Sequence, residues 1–282
     1  MEATLRQALD AAAVRLASVS RQPRRDAELL LMHVLKVGLA ELLAHPDRVL
    51  PASAAAHYEG LLARRQRAEP MQYITGEQEF FGMSFRVNSG VLIPRPETEH
   101  LVEALVERVD PEAALRIVDV GTGSGAIAVA LAHALRRSRV TAVDLSDAAL
   151  AVAQQNAQRH CVLERMRFLH SDLLAALAGE EFDAVVSNPP YVAEGEALEP
   201  QVADYEPRSA LYAGPTGLEI YRRLIPQARD VLKANGWLML EIGYGQRAAI
   251  LSLLAGWKDV DFLDDLQGIA RVAIARRAPA AG

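Results

Sequence analysis

Apolar residues recur at two different spacings along the chain, and the change between them separates two parts. Up to about residue 75 they follow the spacing of helices, as Leu5, Leu9 and Leu16 do. From about residue 99, short β-branched runs alternate with helical stretches. Strands that alternate with helices predict a mostly parallel sheet covered by helices on both faces. The pattern therefore predicts a small helical part followed by a larger α/β part.

The predicted elements can be placed from these patterns and from turn residues. In the first part, helices are expected at 5–16, 26–35 and 52–67, followed by strand-like stretches at 79–82, 85–87 and 91–93. In the second part, strands are expected at 115–120, 140–144, 166–170, 182–187 and 237–242, helices at 126–135, 148–159 and 218–233, a turn at Asn235-Gly236, and a closing hairpin at 260–263 and 270–275. Ligands of such sheets bind at the carboxyl ends of the strands.

Composition narrows the class of protein. The formal net charge of −6 is unevenly distributed: residues 1–98 carry a net charge of +1, and the rest of the chain carries −7. A protein that grips duplex nucleic acid usually presents a strong basic face, so direct nucleic-acid binding is not expected. Cys161 is the sole cysteine, and the histidines lack metal-ligand spacing, so no metal site is predicted. With no apolar run long enough for a membrane span and no signal-peptide pattern, we expect a cytoplasmic protein.

A glycine-rich turn follows the first strand of the second part and opens a helix. It comprises Gly121, Thr122, Gly123, Ser124 and Gly125. Its spacing is G-x-G-x-G, whereas a dinucleotide fold uses G-x-G-x-x-G to hold a pyrophosphate. S-adenosylmethionine has no phosphate, and its amino-acid tail and sulfonium need only a close backbone beneath them. The turn is therefore interpreted as a binding loop for S-adenosylmethionine, with a purely structural turn as the alternative.

Acidic residues stand at the carboxyl ends of the next two predicted strands, where Asp144 is the last residue of one and Asp172 follows the other. Asp144 is placed to accept both ribose hydroxyls, since Ser146 offers the better cap for the following helix. Asp172 is placed to accept from the adenine amino group while Leu173 packs on the ring, with a turn-forming aspartate as the alternative.

The most specific motif follows the fourth strand, at Asn188, Pro189, Pro190 and Tyr191. The two prolines remove two N–H donors and fix the backbone. The side-chain oxygen of Asn188 and the carbonyl of Pro189 can each accept one N–H of a planar –NH₂ group, and Tyr191 can stack on it. These four residues are the predicted catalytic set. A merely structural Pro-Pro turn is the alternative.

Over nearly its whole length the chain resembles the release-factor glutamine methyltransferases, the bacterial HemK/PrmC family. Besides the glycine loop and the Asn-Pro-Pro-Tyr segment, the matching runs are residues 70–76, 80–82, 93–99, 205–211, 241–243 and 265–268. The run at 93–99, Ile-Pro-Arg-Pro-Glu-Thr-Glu, is more diagnostic than the glycine loop.

The resemblance implies a Rossmann-like seven-stranded class I methyltransferase domain and a small N-terminal helical-bundle domain. We assign 1–76 to a substrate-recognition domain, 77–98 to a β-hairpin linker and 99–282 to the methyltransferase domain. It also implies methyl transfer from S-adenosylmethionine to the side-chain nitrogen (N5) of the glutamine in the Gly-Gly-Gln motif of class 1 peptide-chain release factors. In that family Asn188 and Pro189 would hold the glutamine amide, and Asn188 would also contact the cofactor. We expect a monomer.

Other interpretations remain. An N6-adenine methyltransferase would hold its planar –NH₂ group with the same Asn-Pro-Pro-Tyr segment. Such an enzyme must flip a base out of the stack, however, and it generally needs a basic recognition region. A catalytically silent binding module or a nicotinamide enzyme fits the motifs less well.

The long segment 192–217 is expected to border the glutamine channel. Arg95 and Glu97 are predicted either to support the site or to form an interdomain salt-bridge layer.

Overall fold

A computed structural model describes residues 3–279. The helices are α1 (Leu5–Leu16), α2 (Pro23–Leu35), α3 (Leu39–Ala44), α4 (Ala52–Arg65), α5 (Met71–Thr75), α6 (Glu99–Val106), α7 (Ala126–Ala134), α8 (Asp147–Arg159), α9 (Pro200–Ala203), α10 (Arg208–Leu211), α11 (Glu219–Val231) and α12 (Arg247–Leu253). The strands are β1 (Glu77–Phe80), β2 (Met83–Arg86), β3 (Arg116–Val120), β4 (Arg139–Asp144), β5 (Met166–His170), β6 (Phe182–Ser187), β7 (Val192–Ala193), β8 (Tyr212–Gly214), β9 (Leu232–Glu241), β10 (Lys258–Asp264) and β11 (Ala270–Arg276).

The chain divides into two compact units. The first holds the residues up to Glu77 together with Leu198–Tyr205, and the second holds Gln78–Ala197 and the residues from Glu206 onward. The ranges 1–76, 77–98 and 99–282 remain a prediction, and their outer ends, 1–2 and 280–282, lie outside the described residues. The division differs from them in two places: the expected linker falls almost wholly in the second unit, and Leu198–Tyr205 groups with the first.

The first unit is helical, as its apolar spacing predicts. Helix α1 begins at a capping box, in which the Thr4 side chain accepts from the Gln7 N–H and the Gln7 side chain accepts from the Thr4 N–H. Helix α2 begins three residues before the predicted position because Pro23 occupies its first turn, where a missing N–H costs nothing. The buried faces of these helices share one core, which includes Leu16, Leu30 and Leu62.

The second unit is built on a seven-stranded sheet in the order β10-β11-β9-β6-β3-β4-β5. Pairing is parallel from β9 through β6, β3 and β4 to β5, and β11 is antiparallel to both of its neighbours. The predicted hairpin of the last two strands is thereby confirmed. The central strands are buried on both faces, since helices of the unit pack on either side. The predicted α/β class and seven-stranded sheet are confirmed.

One predicted strand, 91–93, is wrong. Its backbone groups bond elsewhere: the Val91 N–H donates to the Asn88 carbonyl at 3.1 Å, which closes a turn. The Ile93 N–H donates to a carboxylate oxygen of Glu206 at 3.0 Å. A segment whose donors are taken by a turn and a side chain has no ladder to join.

The turn predicted at Asn235-Gly236 is also wrong, because both residues lie inside β9. Asn235 has φ of 62° and sits where the register of β9 against β6 shifts, so the strand bulges instead of ending. The Asn235 N–H donates to the Arg277 carbonyl and the Arg277 N–H donates to the Gly236 carbonyl, at 3.0 and 2.9 Å. These long-range bonds outweigh the local turn preference of the pair.

Candidate functional site

A cavity of about 450 Å³ lies at the carboxyl edge of the sheet, within the second unit. The predicted site residues that line it are Gly121, Gly123, Asp144, Asp172, Leu173, Asn188, Pro189 and Pro190. They lie at or just after the carboxyl ends of β3, β4, β5 and β6, and the parallel pairing of these strands brings the four ends to one edge of the sheet. Thr122, Ser124, Gly125 and Tyr191 do not line the cavity.

The glycine loop separates into residues that face the cavity and residues that hold the loop. Gly121 and Gly123 have φ of 71° and 55°, and a Cβ atom at either position would project into open space. The buried Thr122 hydroxyl donates to an Asp119 carboxylate oxygen at 2.6 Å. The Ser124 carbonyl accepts from the Asn156 side chain at 2.8 Å. The loop thus offers bare backbone to a ligand while its other residues fix its shape.

Gly125 is the tightest point of this loop. Its φ is 80°, and a Cβ atom there would lie 2.9 Å from the Cβ and 3.0 Å from the Cα of Ala153. We expect Gly125→Ala to lower the free energy of unfolding by about 2–4 kcal/mol, through left-handed strain and overpacking together. Urea denaturation monitored by circular dichroism measures the change.

Gly179→Ala is the matched control for Gly125→Ala. Gly179 has φ of 84°, but nothing lies within 4 Å of its Cβ position. Gly179→Ala should therefore lower the free energy of unfolding only through left-handed backbone strain, by about 1–2 kcal/mol. Equal losses in the two variants would rule out a packing role for the contact with Ala153.

The Asp144 carboxylate is held by the backbone around it. One oxygen accepts from the Gly123 N–H and the other from the Ser146 N–H, both at 2.9 Å. An ionised carboxylate has about four acceptor positions, so each oxygen keeps capacity for a further donor. The Ser146 side chain accepts from the Ala149 N–H at 3.2 Å and caps α8, as predicted. Asp144 is therefore oriented without serving as the helix cap.

After β5, Asp172 is paired with a cation that the sequence analysis missed. The Arg223 guanidinium of α11 donates to its carboxylate at 2.6 Å, and both residues line the cavity. The neighbouring Leu173 has φ of 53°, a conformation that a leucine rarely adopts. Non-glycine residues held in this region occur often at ligand sites.

Asn188 directly follows β6, and its side-chain amide is fixed on one side. Its Nδ2 donates to the Thr98 hydroxyl oxygen at 3.0 Å, which leaves Oδ1 as the amide atom that Thr98 does not engage. Thr98 is buried and lies in the run 93–99 that supported the resemblance. The amide of Asn188 therefore lines the cavity in one defined orientation.

Tyr191 does not line the cavity. Its hydroxyl donates to Glu241 Oε1 at 3.4 Å, and its ring lies against Gly243. Burial and the Glu241 carboxylate raise the pKa of Tyr191, so its hydroxyl keeps its proton. The predicted stacking of Tyr191 on a substrate stays a prediction.

The loop that sequence analysis placed at a channel contributes to the cavity wall. Pro207, Ser209 and Ala210 are among the lining residues. Just before them, the buried Glu206 carboxylate accepts from the Arg95 guanidinium and from the Ile93 N–H. The ion pair of Arg95 is thus formed inside the second unit, and it ties the segment before α6 to the segment that forms this wall.

Two buried carboxyl groups lie close to the cavity. Burial raises the pKa of Asp119 to about 7, with a further rise from the Asp144 charge, while hydrogen bonds from Thr122 and the Ala128 backbone oppose it. Burial likewise raises the pKa of Glu241 to about 7. One oxygen of each group lacks a hydrogen-bond partner among the described residues. Both groups therefore change protonation near neutral pH.

The raised pKa of Asp119 predicts a pH-dependent stability. The folded state binds this proton more tightly than the unfolded state, so protonation of Asp119 stabilises the fold. That stabilisation is complete below the ordinary pKa of 3.8 and is lost as pH rises through about 7. We expect the free energy of unfolding of the ligand-free protein to fall between about pH 5 and pH 8. In Asp119→Asn that fall should be smaller by about 2–3 kcal/mol.

Urea denaturation at several pH values tests this expectation. Glu241 titrates with the same sign, so the variant should flatten the curve without abolishing its slope. If the free energy of unfolding falls with pH equally in the wild type and in Asp119→Asn, then Asp119 does not cause the pH dependence.

Two negative findings concern the described part of the chain. Among residues 3–279, no three histidine, cysteine, aspartate or glutamate side chains are grouped so that they could bind a metal ion. None of the described helices has the length and apolar character needed to span a membrane.

Comparison with known families finds two matches. The family described as "PrmC N-terminal domain" matches residues 7–76. The family described as "Methyltransferase small domain" matches residues 96–205, which include the glycine loop, Asp144 and the Asn-Pro-Pro-Tyr segment.

Individual proteins are similar over nearly the whole chain. A release factor glutamine methyltransferase of Koribacter versatilis is 46% identical over 97% of this chain and 99% of its own length. One of Moorella thermoacetica is 44% identical over 97% and 99%. Among solved structures, a 16S rRNA methyltransferase of T. thermophilus in complex with S-adenosylmethionine and guanosine has a TM-score of 0.54 at 22% identity, over 71% of this chain and 49% of that chain. This last likeness is one of fold.

Proposed function

Because the chain belongs to the release factor glutamine methyltransferase family, we propose that it methylates the side-chain amide nitrogen (N5) of the glutamine in the Gly-Gly-Gln motif of class 1 peptide-chain release factors. The enzyme is an S-adenosylmethionine-dependent methyltransferase. The names of its relatives support the substrate class, and the geometry of the site supports the way in which the amide nitrogen would be held. That the protein acts as a cytoplasmic monomer stays a prediction.

The cavity fits S-adenosylmethionine at its glycine-loop end. Gly121 and Gly123 leave open the space that a side chain would fill, which admits a ligand against bare backbone. Asp144 retains an acceptor position on each oxygen, which matches the two hydroxyls of a ribose. Asp172 and Leu173 would hold the adenine, and the remaining loop residues would keep the loop in shape. When bound, the cofactor supplies an electrophilic methyl group on a sulfonium.

The observation that carries the proposed function is the orientation of Asn188. Thr98 takes a hydrogen bond from Nδ2, so Oδ1 is the atom left to accept from a substrate. Pro189 adds a backbone carbonyl, and Pro189 and Pro190 present no N–H groups that would repel a donor. Two acceptors beside one another suit a planar –NH₂ group. A glutamine side chain offers that group.

These acceptors address the weakness of an amide as a nucleophile. The nitrogen lone pair is delocalised, and positive charge develops on nitrogen as the new bond forms. Acceptors fixed on both N–H groups stabilise that charge and align the nitrogen for attack. A strong general base is unnecessary, because the N–H proton becomes acidic during bond formation and leaves to solvent.

Transfer of radiolabelled methyl from S-adenosylmethionine to a purified class 1 release factor tests the proposal. A Gln→Ala variant of its Gly-Gly-Gln loop and a duplex DNA serve as controls. We expect label on the unaltered factor alone. Label on the Gln→Ala factor would contradict the assigned site, label on DNA alone would favour the adenine alternative, and no label anywhere would favour a binding module.

A further inference from the structure

The side-chain amide of Gln246 binds three separate backbone segments of the second unit. Its Nε2 donates to the Tyr191 carbonyl at 3.0 Å and to the Gly217 carbonyl at 3.2 Å. Its Oε1 accepts from the Gly243 N–H at 2.9 Å. Tyr191 ends the Asn-Pro-Pro-Tyr segment, Gly217 ends the loop 192–217, and Gly243 lies just after β9. One half-buried side chain therefore ties these three segments together.

These bonds fix the orientation of the Gln246 amide. An amide has one oxygen, which accepts, and one NH₂ group, which donates two hydrogen bonds. Here the oxygen faces the one N–H, and the NH₂ group faces the two carbonyls. The flipped amide would set its oxygen against both carbonyls. Gln246 directly precedes α12, but its side chain makes no capping bond to that helix, so the amide serves the three segments instead.

The three segments also approach one another too closely for side chains between them. A Cβ atom on Gly217 would lie 2.5 Å from the Tyr191 carbonyl oxygen. A Cβ atom on Gly243 would lie 3.0 Å from both Gln246 Oε1 and Tyr191 Cδ2. Glycine allows backbone to approach in this way because it has no Cβ atom. Gln246 and its three partners, the Gln246 junction, therefore form a closely packed support for Tyr191.

The two prolines carry the position of Tyr191 to the acceptors of the segment. Asn188 and Pro189 each precede a proline, which restricts their backbone to extended conformations, and each ring fixes one φ. A segment with so few soft torsions moves as a stiff unit. At its start, Asn188 Nδ2 is held by Thr98 at 3.0 Å. At its end, the Tyr191 carbonyl is held by Gln246, so the Pro189 carbonyl lies between two fixed points.

We propose that Gln246 is a positioning residue for methyl transfer, which keeps Asn188 Oδ1 and the Pro189 carbonyl aimed at the substrate nitrogen. The inference rests on the proposed function, since it assigns a support to the Asn188 clamp, the pair of acceptors that Asn188 and Pro189 provide. Gln246 does not line the cavity, so it acts through the segment and not on the reacting atoms.

Two substitutions of Gln246 separate positioning from the simple filling of space. Gln246→Glu keeps the shape and the acceptor, but its ionised carboxylate sets an oxygen against the Tyr191 and Gly217 carbonyls. Gln246→Met has a similar length and leaves these carbonyls without a donor but without repulsion. We expect kcat for methyl transfer to a release factor to fall about 10- to 100-fold in Gln246→Glu and about 3- to 10-fold in Gln246→Met. The dissociation constant of S-adenosylmethionine should change less than about threefold in both variants, because the glycine loop and Asp144 are untouched.

Gln227→Glu is the matched control. Gln227 is a half-buried residue of α11 outside the cavity lining, and its Oε1 accepts from the Leu174 N–H at 3.0 Å. A carboxylate can accept that bond as well, so this variant should stay within about threefold of wild type in kcat. Rates are measured at saturating cofactor and divided by the number of cofactor-binding sites counted by calorimetry. A partly unfolded variant is then not mistaken for a slow one.

The order of the two Gln246 variants decides the inference. A side chain that only fills space is replaced better by its isostere glutamate than by methionine. A kcat of Gln246→Glu equal to or above that of Gln246→Met would therefore overturn the positioning role, and so would an equally large loss in Gln227→Glu. Failure of the proposed function has a different signature, because the wild type would then transfer no methyl to the release factor. Wild-type turnover in Asn188→Ala would remove the clamp itself, and the positioning role with it.

Gly243→Ala tests the Gln246 junction from its other side, even if neither Gln246 variant folds. The added Cβ atom would press on Gln246 Oε1 and Tyr191 Cδ2, each 3.0 Å away. We expect kcat per cofactor-binding site to fall about 3- to 10-fold, with the dissociation constant of S-adenosylmethionine within about threefold of wild type. A kcat equal to that of the wild type would count against the inference, because the junction would then tolerate displacement.

Discussion

Asn188→Ala is expected to slow methyl transfer about 100- to 1000-fold, the usual cost of removing one preorganised hydrogen-bonding group aimed at developing charge. Its Oδ1 is the proposed acceptor for one N–H of the substrate amide, and alanine leaves only the Pro189 carbonyl. Affinity for S-adenosylmethionine should stay within about tenfold of wild type, since the glycine loop and Asp144 are untouched. Single-turnover transfer and calorimetry measure the two quantities separately.

Asn188→Gln refines the same prediction. It keeps the amide but moves it by one methylene, away from the oxygen of Thr98 that holds it at 3.0 Å. A displacement of this size can cost about 100-fold in rate, so this variant should also be slow. Wild-type rates in Asn188→Ala would remove the clamp from the mechanism. Wild-type rates in Asn188→Gln alone would show that its position is not critical.

Asp144→Ala is expected to raise the dissociation constant of S-adenosylmethionine about 10- to 100-fold, because hydrogen bonds to a charged group are among the stronger ones. The variant removes both proposed ribose acceptors. It also frees the Gly123 N–H, which Asp144 holds at 2.9 Å, so the glycine loop loses a support. Titration calorimetry with the purified enzyme measures the change directly.

Asp147→Ala is the matched control for Asp144→Ala. Asp147 is an exposed acid one turn along, paired with His170 at 2.9 Å and outside the cavity lining. It should leave cofactor affinity within about twofold of wild type, as exposed pairs contribute little. An unchanged dissociation constant in Asp144→Ala would argue against the ribose assignment, and an equal loss in both variants would indicate a general effect of charge.

Much of the second unit could be read from local patterns. The strands predicted at 166–170 and 182–187 match β5 and β6, because short apolar and β-branched runs between polar breaks are a local signal of strands. The Ser146 cap of α8 was predicted for a similar reason, since capping depends on residues only three apart. Prediction failed at 91–93 and at Asn235-Gly236, because hydrogen bonds to residues distant in the sequence outweighed the local preference for a strand or a turn.

Local patterns in the amino-acid sequence are enough to predict the order of the elements, the loops at the carboxyl ends of four strands, and the motif residues placed there. Periodicity, glycine spacing and capping are local, so each can be read within a few positions. Parallel pairing then obliges those loops to meet at one edge.

The partners of the site residues, in contrast, follow from the packing of the folded chain. The contact of Asn188 with Thr98, separated by 90 positions, arises from how the segment before α6 packs on the sheet. The pairing of Asp172 with Arg223 and of Arg95 with Glu206 arises in the same way. Such contacts depend on side-chain direction across packed elements, and no spacing within the chain encodes that direction.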